Sequence, residues 1–247
     1  MISENISSLF LTMNLPFSPK IINYSQVIHL SHPIASNIPQ WPGDPPVEFQ
    51  AIANLSTDGY YLRRFAMGEH SATHLNAPNS FYPDGVGIET YTAESLIVKA
   101  VVINIGERAA ANPDYTLTCA DVLAWEAEQG EISPGTVVLL YTGWQHKWSD
   151  PEAFINQQHF PGFAPETTGF LLDRRQIGGV GIDTHGVDGG QDLTFATNRQ
   201  VLAEPRIVLE NLTNLDQLPP IGTTLAIAPL QLVQGSGSPA TVLAFLP

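Results

Sequence analysis

The stretch GEHSATHLNAPNSF spans residues 68–81 and places two histidines, His70 and His74, four positions apart. Asn76 follows with a side-chain oxygen, and Pro78 then introduces irregular backbone. Imidazole is the commonest neutral metal ligand, and this spacing lets two rings converge if the segment forms one helical turn. A pair of hydrogen-bonding residues is the simple alternative. The stretch therefore predicts either a metal centre or a polar cluster beside a loop.

The composition restricts the kinds of partner that the chain can bind. Of its 247 residues, 43% are hydrophobic and 14% are charged, so the chain can bury a sizeable core. Lys and Arg number 10 against 24 Asp and Glu, which gives a formal charge of −14. Such a charge repels phosphate backbones and anionic membranes. We therefore expect a small-molecule substrate, and neither nucleic acid nor a membrane as partner.

The cysteine content and the two ends of the chain suggest where the protein works. Cys119 is the single cysteine, so no internal disulfide is possible and a reducing, cytoplasmic compartment is expected. Residues 1–24 lack a basic start and predict a flexible N-terminal segment without a signal peptide. No stretch approaches the roughly 20 apolar residues of a membrane-spanning helix. Residues 25–247 contain no repeat or linker and are expected to form one domain.

Short apolar runs rich in β-branched residues predict buried strands. These runs are Leu96–Ile105, Thr136–Tyr141, Gly179–Ile182, Arg206–Leu209, Thr223–Ala228 and Ala240–Phe245. Thr118 and Asp121 resemble a capping box that opens a helix ending at Gly130. A second helix is expected to begin at Pro165 and to end near Arg175. Since strands outnumber helices, the predicted class is mixed α/β.

Residues 70–80 also match a known signature, His-x-Gly-Thr-His-x-Asp-x-Pro-x-His, at both leading histidines, the Thr and the Pro. Six further segments look matched in order: LSHPI at 30–34, WPGDPPVE at 41–48, YTGW at 141–144, FPGFAPET at 160–167, GIDT at 181–184 and VLENL at 208–212. On these segments the chain resembles the cyclase family of small-amide hydrolases, which includes kynurenine formamidase. The resemblance runs from Val27 to the C-terminus. It implies that family's swivelling β/β/α fold, a mixed sheet with few helices, and assembly as a homodimer or higher homo-oligomer.

The resemblance also implies a divalent metal site. In the family, two histidines and an Asp hold one ion, often zinc or manganese, and a later His and a Glu complete a second site. Here His70 and His74 are retained, and Glu210 falls on the family's Glu. Asn76 replaces the Asp and Asn198 replaces the second-site His, and each change weakens metal affinity. A single ion held by His70, His74, Asn76 and Glu210 is the expectation, with zinc, manganese or magnesium as candidates and no ion as the alternative.

Proton transfer is the second function that the resemblance brings into question. Ser80 occupies the position of the family's proton-transfer His, and a serine alone cannot shuttle protons near pH 7. His185 directly follows GIDT, which the family places at the rim of its active site, so His185 is a candidate replacement. The alternative is a structural His bonded to a loop carbonyl. Glycines at 186, 189 and 190 predict turns with positive φ around Asp188. We therefore take Ser80 and His185 as the candidate catalytic positions.

Two further residues are expected to line a substrate pocket. Trp41 lies in a loop rich in Pro and Gly and is placed to form a wall for a flat aromatic substrate, and Asn198 is expected beside it. The glycine-rich stretch 234–239 lacks a lysine and predicts a turn, not a phosphate-binding loop.

Two functions follow from these residues. The first is a metal-dependent hydrolase of a small amide, lactam or ester, similar to arylformamidases, for which the resemblance implies a place in tryptophan catabolism. The second is a catalytically altered or inactive family member that binds a small molecule, because Asn76, Ser80 and Asn198 depart from the signature.

Overall fold

A computed structural model describes residues 20–247, which form twelve strands and six α-helices. The strands are β1 (Gln26–His29), β2 (Glu48–Ala53), β3 (Leu62–Ala66), β4 (His74–Asn76), β5 (Ile97–Asn104), β6 (Thr116–Leu117), β7 (Val137–Tyr141), β8 (Gly162–Phe163), β9 (Gly179–Ile182), β10 (Ile207–Glu210), β11 (Thr223–Pro229) and β12 (Gly237–Leu246). The α-helices are α1 (Leu55–Asp58), α2 (Gly106–Ala111), α3 (Cys119–Gln129), α4 (Pro151–Ile155), α5 (Pro165–Arg175) and α6 (Ala196–Val201).

These elements confirm the mixed α/β class and the six predicted strands, which are β5, β7 and β9–β12. The expected flexible segment 1–24 lies mostly outside the described residues, so it stays a prediction, as does the single domain at 25–247. No helix within 20–247 is both long enough and apolar enough to cross a membrane.

Both predicted helices are present, and local side-chain chemistry explains their ends. Before α3, the Thr118 hydroxyl accepts from the backbone N–H of Asp121, whose carboxylate accepts from the backbone N–H of Thr118. Helix α5 begins with a proline at its first position, where no backbone donor is lost. In its last turn, Arg175 donates two hydrogen bonds to Glu126 of α3. This ion pair joins the two helices on one face of the sheet.

The main sheet has eight strands in the order β1-β12-β11-β5-β7-β9-β10-β4. Strands β5, β7, β9 and β10 are parallel, and the others pair antiparallel. Strand β4 also pairs with the start of β12, so the sheet closes on itself as a barrel. The closure carries β4, and with it His74 and Asn76, to the end of β10.

The central strands are buried on both faces, which explains their continuous apolar sequences. In β7, Val137 and Leu139 pack inside the barrel with residues of β10–β12, whereas Val138 and Leu140 pack outside against α3 and α5. Alternate residues of a strand point to opposite faces, so an apolar run without alternation fills two cores. The barrel interior is therefore a packed core, and the polar site lies at the ends of the strands.

Strands β2 and β3 form a separate antiparallel hairpin. Both of its faces carry exposed side chains. The sequence analysis did not predict this hairpin, because it lacks the alternation of buried and exposed residues that identifies a half-buried strand.

Candidate metal centre

Strand pairing places His74 directly opposite Glu210. In the antiparallel ladder of β4 and β10, these two residues are register partners. His74 and Asn76 are two positions apart on β4, so their side chains share one face. Residues 70–74 do not form the helical turn that this spacing allows, because they form a bend in which Ala72 has a φ of 55°. The rings of His70 and His74 nevertheless meet edge to face, with centroids 5.2 Å apart.

The ring of His74 is held by one nitrogen and leaves the other without a partner. Its Nδ1 lies 2.8 Å from the carbonyl oxygen of Ala72, and because a carbonyl only accepts, Nδ1 carries the hydrogen. Its Nε2 lies 3.0 Å from Oε2 of Glu210, which is ion-pair distance. The two atoms are not aligned as a hydrogen bond, so this buried Nε2 has no hydrogen-bond partner among residues 20–247. An imidazole nitrogen facing a carboxylate oxygen is stabilised by a proton or a cation shared between them.

Glu210 is a buried carboxylate that stays ionised. Burial alone raises the pKa of a carboxyl group, but the nearby imidazole of His74 and the hydrogen bonds from Asn198 and Val187 lower the pKa of Glu210 to about 2. Its Oε1 accepts from Asn198 Nδ2 and from the backbone N–H of Val187, both at 3.0 Å. Oε2 faces His74 alone. The carboxylate therefore offers one free oxygen toward His74.

Asn76 and Asn198, the two departures from the expected ligand set, bind each other. Asn76 Nδ2 donates to Asn198 Oδ1 at 3.0 Å. Asn198 Nδ2 donates in turn to Glu210 Oε1 at 3.0 Å and to Asp188 Oδ2 at 2.9 Å. This amide N–H₂ group thus lies between two carboxylates, at the place that a second metal ion would occupy. Neutral amides satisfy this half of the centre.

His70 completes the hydrogen-bonded half. Its Nδ1 lies 2.9 Å from Asn76 Oδ1, an acceptor, so Nδ1 carries the hydrogen. Its Nε2 lies 3.0 Å from the hydroxyl oxygen of Ser236, whose one hydrogen also has Glu69 Oε2 as an acceptor at 2.6 Å. Burial lowers the pKa of His70, which keeps the ring neutral. Ser236 lies directly before Gly237, where a Cβ would stand 2.8 Å from Cε1 of His70. Only glycine lets β12 begin this close to the ring. The role of His70 as a metal ligand stays a prediction.

His185 lies in the pocket and is buried against aromatic rings. Its ring packs edge to face on Trp41 and Phe154, with centroids 5.7 and 5.4 Å away. Burial lowers the pKa of His185 to about 4, so the ring is neutral at pH 7. Its Nε2 is buried and has no hydrogen-bond partner within the described chain. A neutral imidazole with a free nitrogen beside His74 and Glu210 is chemically able to accept a proton.

Ser80 and the glycines near His185 have local structural roles. The Ser80 hydroxyl donates to the carbonyl oxygen of Ser236, which fixes the approach of the loop to β12. The expectation of positive φ at the glycines 186, 189 and 190 is wrong, since none of them adopts it. At Gly190 the reason for glycine is close approach, because a Cβ would lie 2.0 Å from the carbonyl oxygen of Gln158.

These polar groups form the floor of a cavity of about 330 Å³ with aromatic walls. Trp41, Phe81, Phe160 and Phe195 line it, together with His70, His74, Asn76, Ser80, His185, Asp188, Asn198, Glu210 and Ser236. All eight residues that the sequence placed at the site therefore line one cavity. Such a volume fits a small molecule of one or two rings.

The donors present fit one divalent ion better than two. Within residues 20–247, no three His, Cys, Asp or Glu side chains converge on a single point. His74 Nε2 and Glu210 Oε2 are two converging metal-ligand atoms, and the imidazole nitrogen has no hydrogen-bond partner in the described chain. The remaining coordination positions of an ion would have to be filled by a neutral oxygen such as that of Asn76, or by water. A second ion does not fit, since the Asn198 amide already occupies the other oxygen of Glu210.

Sequence reasoning missed Asp188, Ser236 and three of the aromatic walls. Asp188 accepts from the backbone N–H groups of Thr197 and Asn198 as well as from the Asn198 side chain. In the sequence, Asp188 lies among glycines, which is compatible with a functional carboxylate, but a turn explains the same pattern equally well. Ser236 lies in the predicted turn 234–239, and its contact with His70 joins residues 166 positions apart. Such a contact has no local sequence signal.

Comparison with known proteins identifies similar chains over almost the whole length. Residues 28–189 match a family model described as "Putative cyclase". An isatin hydrolase from Roseibium aggregatum is 33% identical over an alignment of 244 positions that covers 92% of this chain and 92% of that one. The solved isatin hydrolase A from Ralstonia solanacearum is 32% identical with a TM-score of 0.84, covering 90% of this chain and 92% of that one. A structure described as a predicted metal-dependent hydrolase from Bacillus stearothermophilus is 25% identical with a TM-score of 0.69, covering 89% and 98%.

Proposed function

This chain belongs to the cyclase family, and we propose that it is a metal-dependent hydrolase that opens a small cyclic amide of the isatin type. The observation that carries this proposal is the buried pair of His74 Nε2 and Glu210 Oε2, 3.0 Å apart at the floor of an aromatic-lined cavity. Relatives at 32% and 33% identity hydrolyse isatin, and a neighbour is described as metal-dependent.

The walls of the cavity suit a flat bicyclic lactam. The rings of Trp41 and Phe160 pack edge to face with centroids 6.1 Å apart, and the ring centroids of Phe81 and Phe195 lie 5.7 Å apart. Aromatic rings stabilise a flat ligand through stacking and burial of apolar area. The fused rings of isatin are of a size that a cavity of about 330 Å³ accommodates. We therefore favour isatin over the flexible N-formylkynurenine as substrate, and a role in tryptophan catabolism stays a prediction.

The reaction adds water to the lactam carbonyl and breaks the ring C–N bond. A divalent ion, when bound, would supply polarisation of the carbonyl and a water of lowered pKa. His74 and Glu210 would hold it, and Asn76 would offer a neutral oxygen. We assign His185 as the residue that accepts the proton from water and returns it to the ring nitrogen, because it lines the cavity and its Nε2 has no hydrogen-bond partner in the described chain. The product is one ring-opened molecule that carries both an aromatic amine and a carboxylate, and one proton is released.

Loss of isatin absorbance, followed with purified protein in the presence of zinc, manganese or magnesium, tests this function. Wild-type protein should hydrolyse isatin faster than N-formylkynurenine. His74→Ala should abolish turnover, whereas His146→Ala, at an exposed histidine outside the cavity, should keep it. Absence of turnover with all three metals, in protein whose circular dichroism is native, would exclude the hydrolase and leave a small-molecule binder.

The hairpin of β2 and β3 supports the further proposal that the chain forms a homodimer or higher homo-oligomer. Six of its large side chains are 47% to 70% exposed: Ile52, Leu55, Tyr60, Tyr61, Leu62 and Phe65. Exposed apolar surface of this kind marks interaction sites. Arg63 and Arg64 are exposed on the same hairpin and pair with no carboxylate in the described chain. They complement the acidic surface that a second copy, with a formal charge of −14, presents.

Light scattering after size-exclusion chromatography tests this assembly. Wild-type protein should elute at a multiple of the chain mass of 26.8 kDa. The double variant Leu62→Glu, Phe65→Glu should shift toward the monomer. Leu123→Glu, at an exposed leucine of α3, is the matched control and should not shift. A monomeric wild type would contradict the proposal.

A further inference from the structure

The cavity has an asymmetric set of charges. Four carboxylates line it: Asp44, Asp188, Asp192 and Glu210. None of the ten Lys and Arg residues, all of which fall within the described part of the chain, lines it. The protein therefore surrounds its ligand with negative potential.

Asp44 and Asp192 differ from the other two carboxylates because they belong to the rim. Asp44 is exposed and follows Trp41 by three positions. Asp192 is half-buried, and its carboxylate accepts from the N–H and hydroxyl of Thr194 and from the N–H of Ala196. Burial opposes ionisation, but these hydrogen bonds lower the pKa of Asp192 below its ordinary value. Asp188 and Glu210 are instead engaged by Asn198 at the floor.

We propose that Asp44 and Asp192 are specificity-determining residues, which admit a neutral lactam and disfavour anionic ligands, including the carboxylate product of ring opening. This inference rests on the proposed function. A divalent ion at the floor would offset about two negative charges, those of Asp188 and Glu210. Arg199 stacks on Phe81 of the cavity wall, 5.1 Å from the ring centroid, but forms no ion pair with Asp44 or Asp192. Both carboxylates line the cavity at residues that solvent reaches, so their charge affects entry of an anion and release of the product.

The expected size of the effect follows from Coulomb's law. A unit charge about 8 to 10 Å from an anionic ligand changes its binding about two- to threefold at water-like dielectric and low salt. The Debye length is about 30 Å at 0.01 M salt and about 3 Å at 1 M. Two rim carboxylates should therefore produce about a four- to tenfold preference for a neutral ligand at low salt, and almost none at 1 M salt.

Isatin and isatin-5-sulfonate provide the matched probes, because they share the reacting ring and differ by one fixed negative charge. The preference is the ratio of kcat/KM for isatin to kcat/KM for the sulfonate. This ratio should be about four to ten times larger at low salt than at 1 M salt. Asp44→Asn should reduce the low-salt preference about two- to threefold, and so should Asp192→Asn. Both changes should strengthen inhibition by the ring-opened product by similar factors.

Asp173→Asn is the matched control, because Asp173 is exposed on α5 and does not line the cavity. It removes the same charge and should leave the preference unchanged. If the preference is independent of salt and of Asp44→Asn, or if Asp173→Asn changes it equally, the proposed role of the rim is overturned.

Binding of the same two probes separates this inference from the proposed function. Quenching of tryptophan fluorescence, which reports on Trp41 in the cavity wall, measures affinity without turnover. Tighter, salt-dependent binding of isatin without hydrolysis would refute the hydrolase and support the rim. Hydrolysis of isatin together with equal affinity for both probes would support the hydrolase and refute the role of the rim. If neither probe binds up to millimolar concentration, both proposals fail.

Discussion

The two halves of the metal centre differ in how their polar atoms are satisfied. In one half, His74 Nε2 and Glu210 Oε2 face each other at 3.0 Å, and the imidazole nitrogen has no hydrogen-bond partner in the described chain. We call this the open half. In the other, Asn76, Asn198, His70 and Asp188 bind one another or Ser236, and we call this the closed half.

This difference shows that replacing charged ligands by amides does not leave a defective site behind. An Asn side chain both donates and accepts, so two of them link neighbouring groups without an ion. Buried polar groups that are fully hydrogen-bonded cost little, whereas unsatisfied ones cost about 1–3 kcal/mol each. The closed half is therefore stable as it is, and the open half gains most from a cation.

Removing the charge of the open half should have the largest effect. Glu210→Gln keeps the shape and the acceptor for Val187 but removes the carboxylate opposite His74. We expect bound metal to fall below one tenth of an equivalent and kcat/KM for isatin to fall about 100- to 1000-fold. Metal analysis and initial rates measure both. Glu128→Gln, at an exposed position of α3, is the control and should match wild type; unchanged metal content in Glu210→Gln would place the ion elsewhere.

Converting the closed half should create a second site. The double variant Asn76→Asp, Asn198→His supplies a charged oxygen and an imidazole and removes the amide bridge between Glu210 and Asp188. Saturation with zinc should rise from one to two ions per chain, since ligand charge raises divalent affinity. Asn76→Asp alone should tighten the first ion about tenfold. A count that stays at one in the folded double variant would show that the amides are not what excludes the second ion.

Displacing His70 should produce a moderate effect. Gly237→Ala places a Cβ 2.8 Å from Cε1 of His70, so the ring must move away from Asn76 and Ser236. We expect a loss of about 1–3 kcal/mol in the free energy of unfolding and a weaker metal affinity if His70 is a ligand. Gly169→Ala in α5 meets no atom closer than 3.7 Å, so it should be neutral or stabilising. Wild-type metal affinity in a destabilised Gly237→Ala protein would remove His70 from the ligand set.

The smallest effect concerns the pH dependence of stability. Burial raises the pKa of Asp188 to about 6, from an ordinary value of 3.8. The folded state then binds more protons than the unfolded state between about pH 4 and 6, so this group makes stability fall as pH rises through that window. Asp188→Asn should flatten this part of the curve of unfolding free energy against pH. Asp173→Asn should not; an identical slope in wild type and Asp188→Asn would contradict the assignment.

The sequence predicts local features of the fold well and long-range features poorly. The capping box at Thr118 and the proline start of α5 depend on neighbouring residues, so their signals are complete in the sequence. The strands buried on both faces are visible as apolar runs. The hairpin of β2 and β3 was missed because neither of its faces is buried against the core.

At the site, residue identities were predictable and their arrangement was not. Residue patterns and the resemblance to the cyclase family together identified eight residues that do line one cavity. The bond from Asn76 to Asn198 spans 122 positions, and no local pattern indicates it. The spacing of His70 and His74 is compatible with one helical turn, but His74 and Asn76 lie two positions apart on a strand and therefore share one face.

The central claim is that the open half binds one ion and the closed half binds none. Calorimetric titration of metal-stripped wild-type protein with zinc or manganese, together with elemental analysis of the saturated protein, tests this claim most directly. The expected result is one ion per chain, lost in Glu210→Gln. Two ions per chain would contradict the closed half, and no ion at saturating metal would contradict the open half.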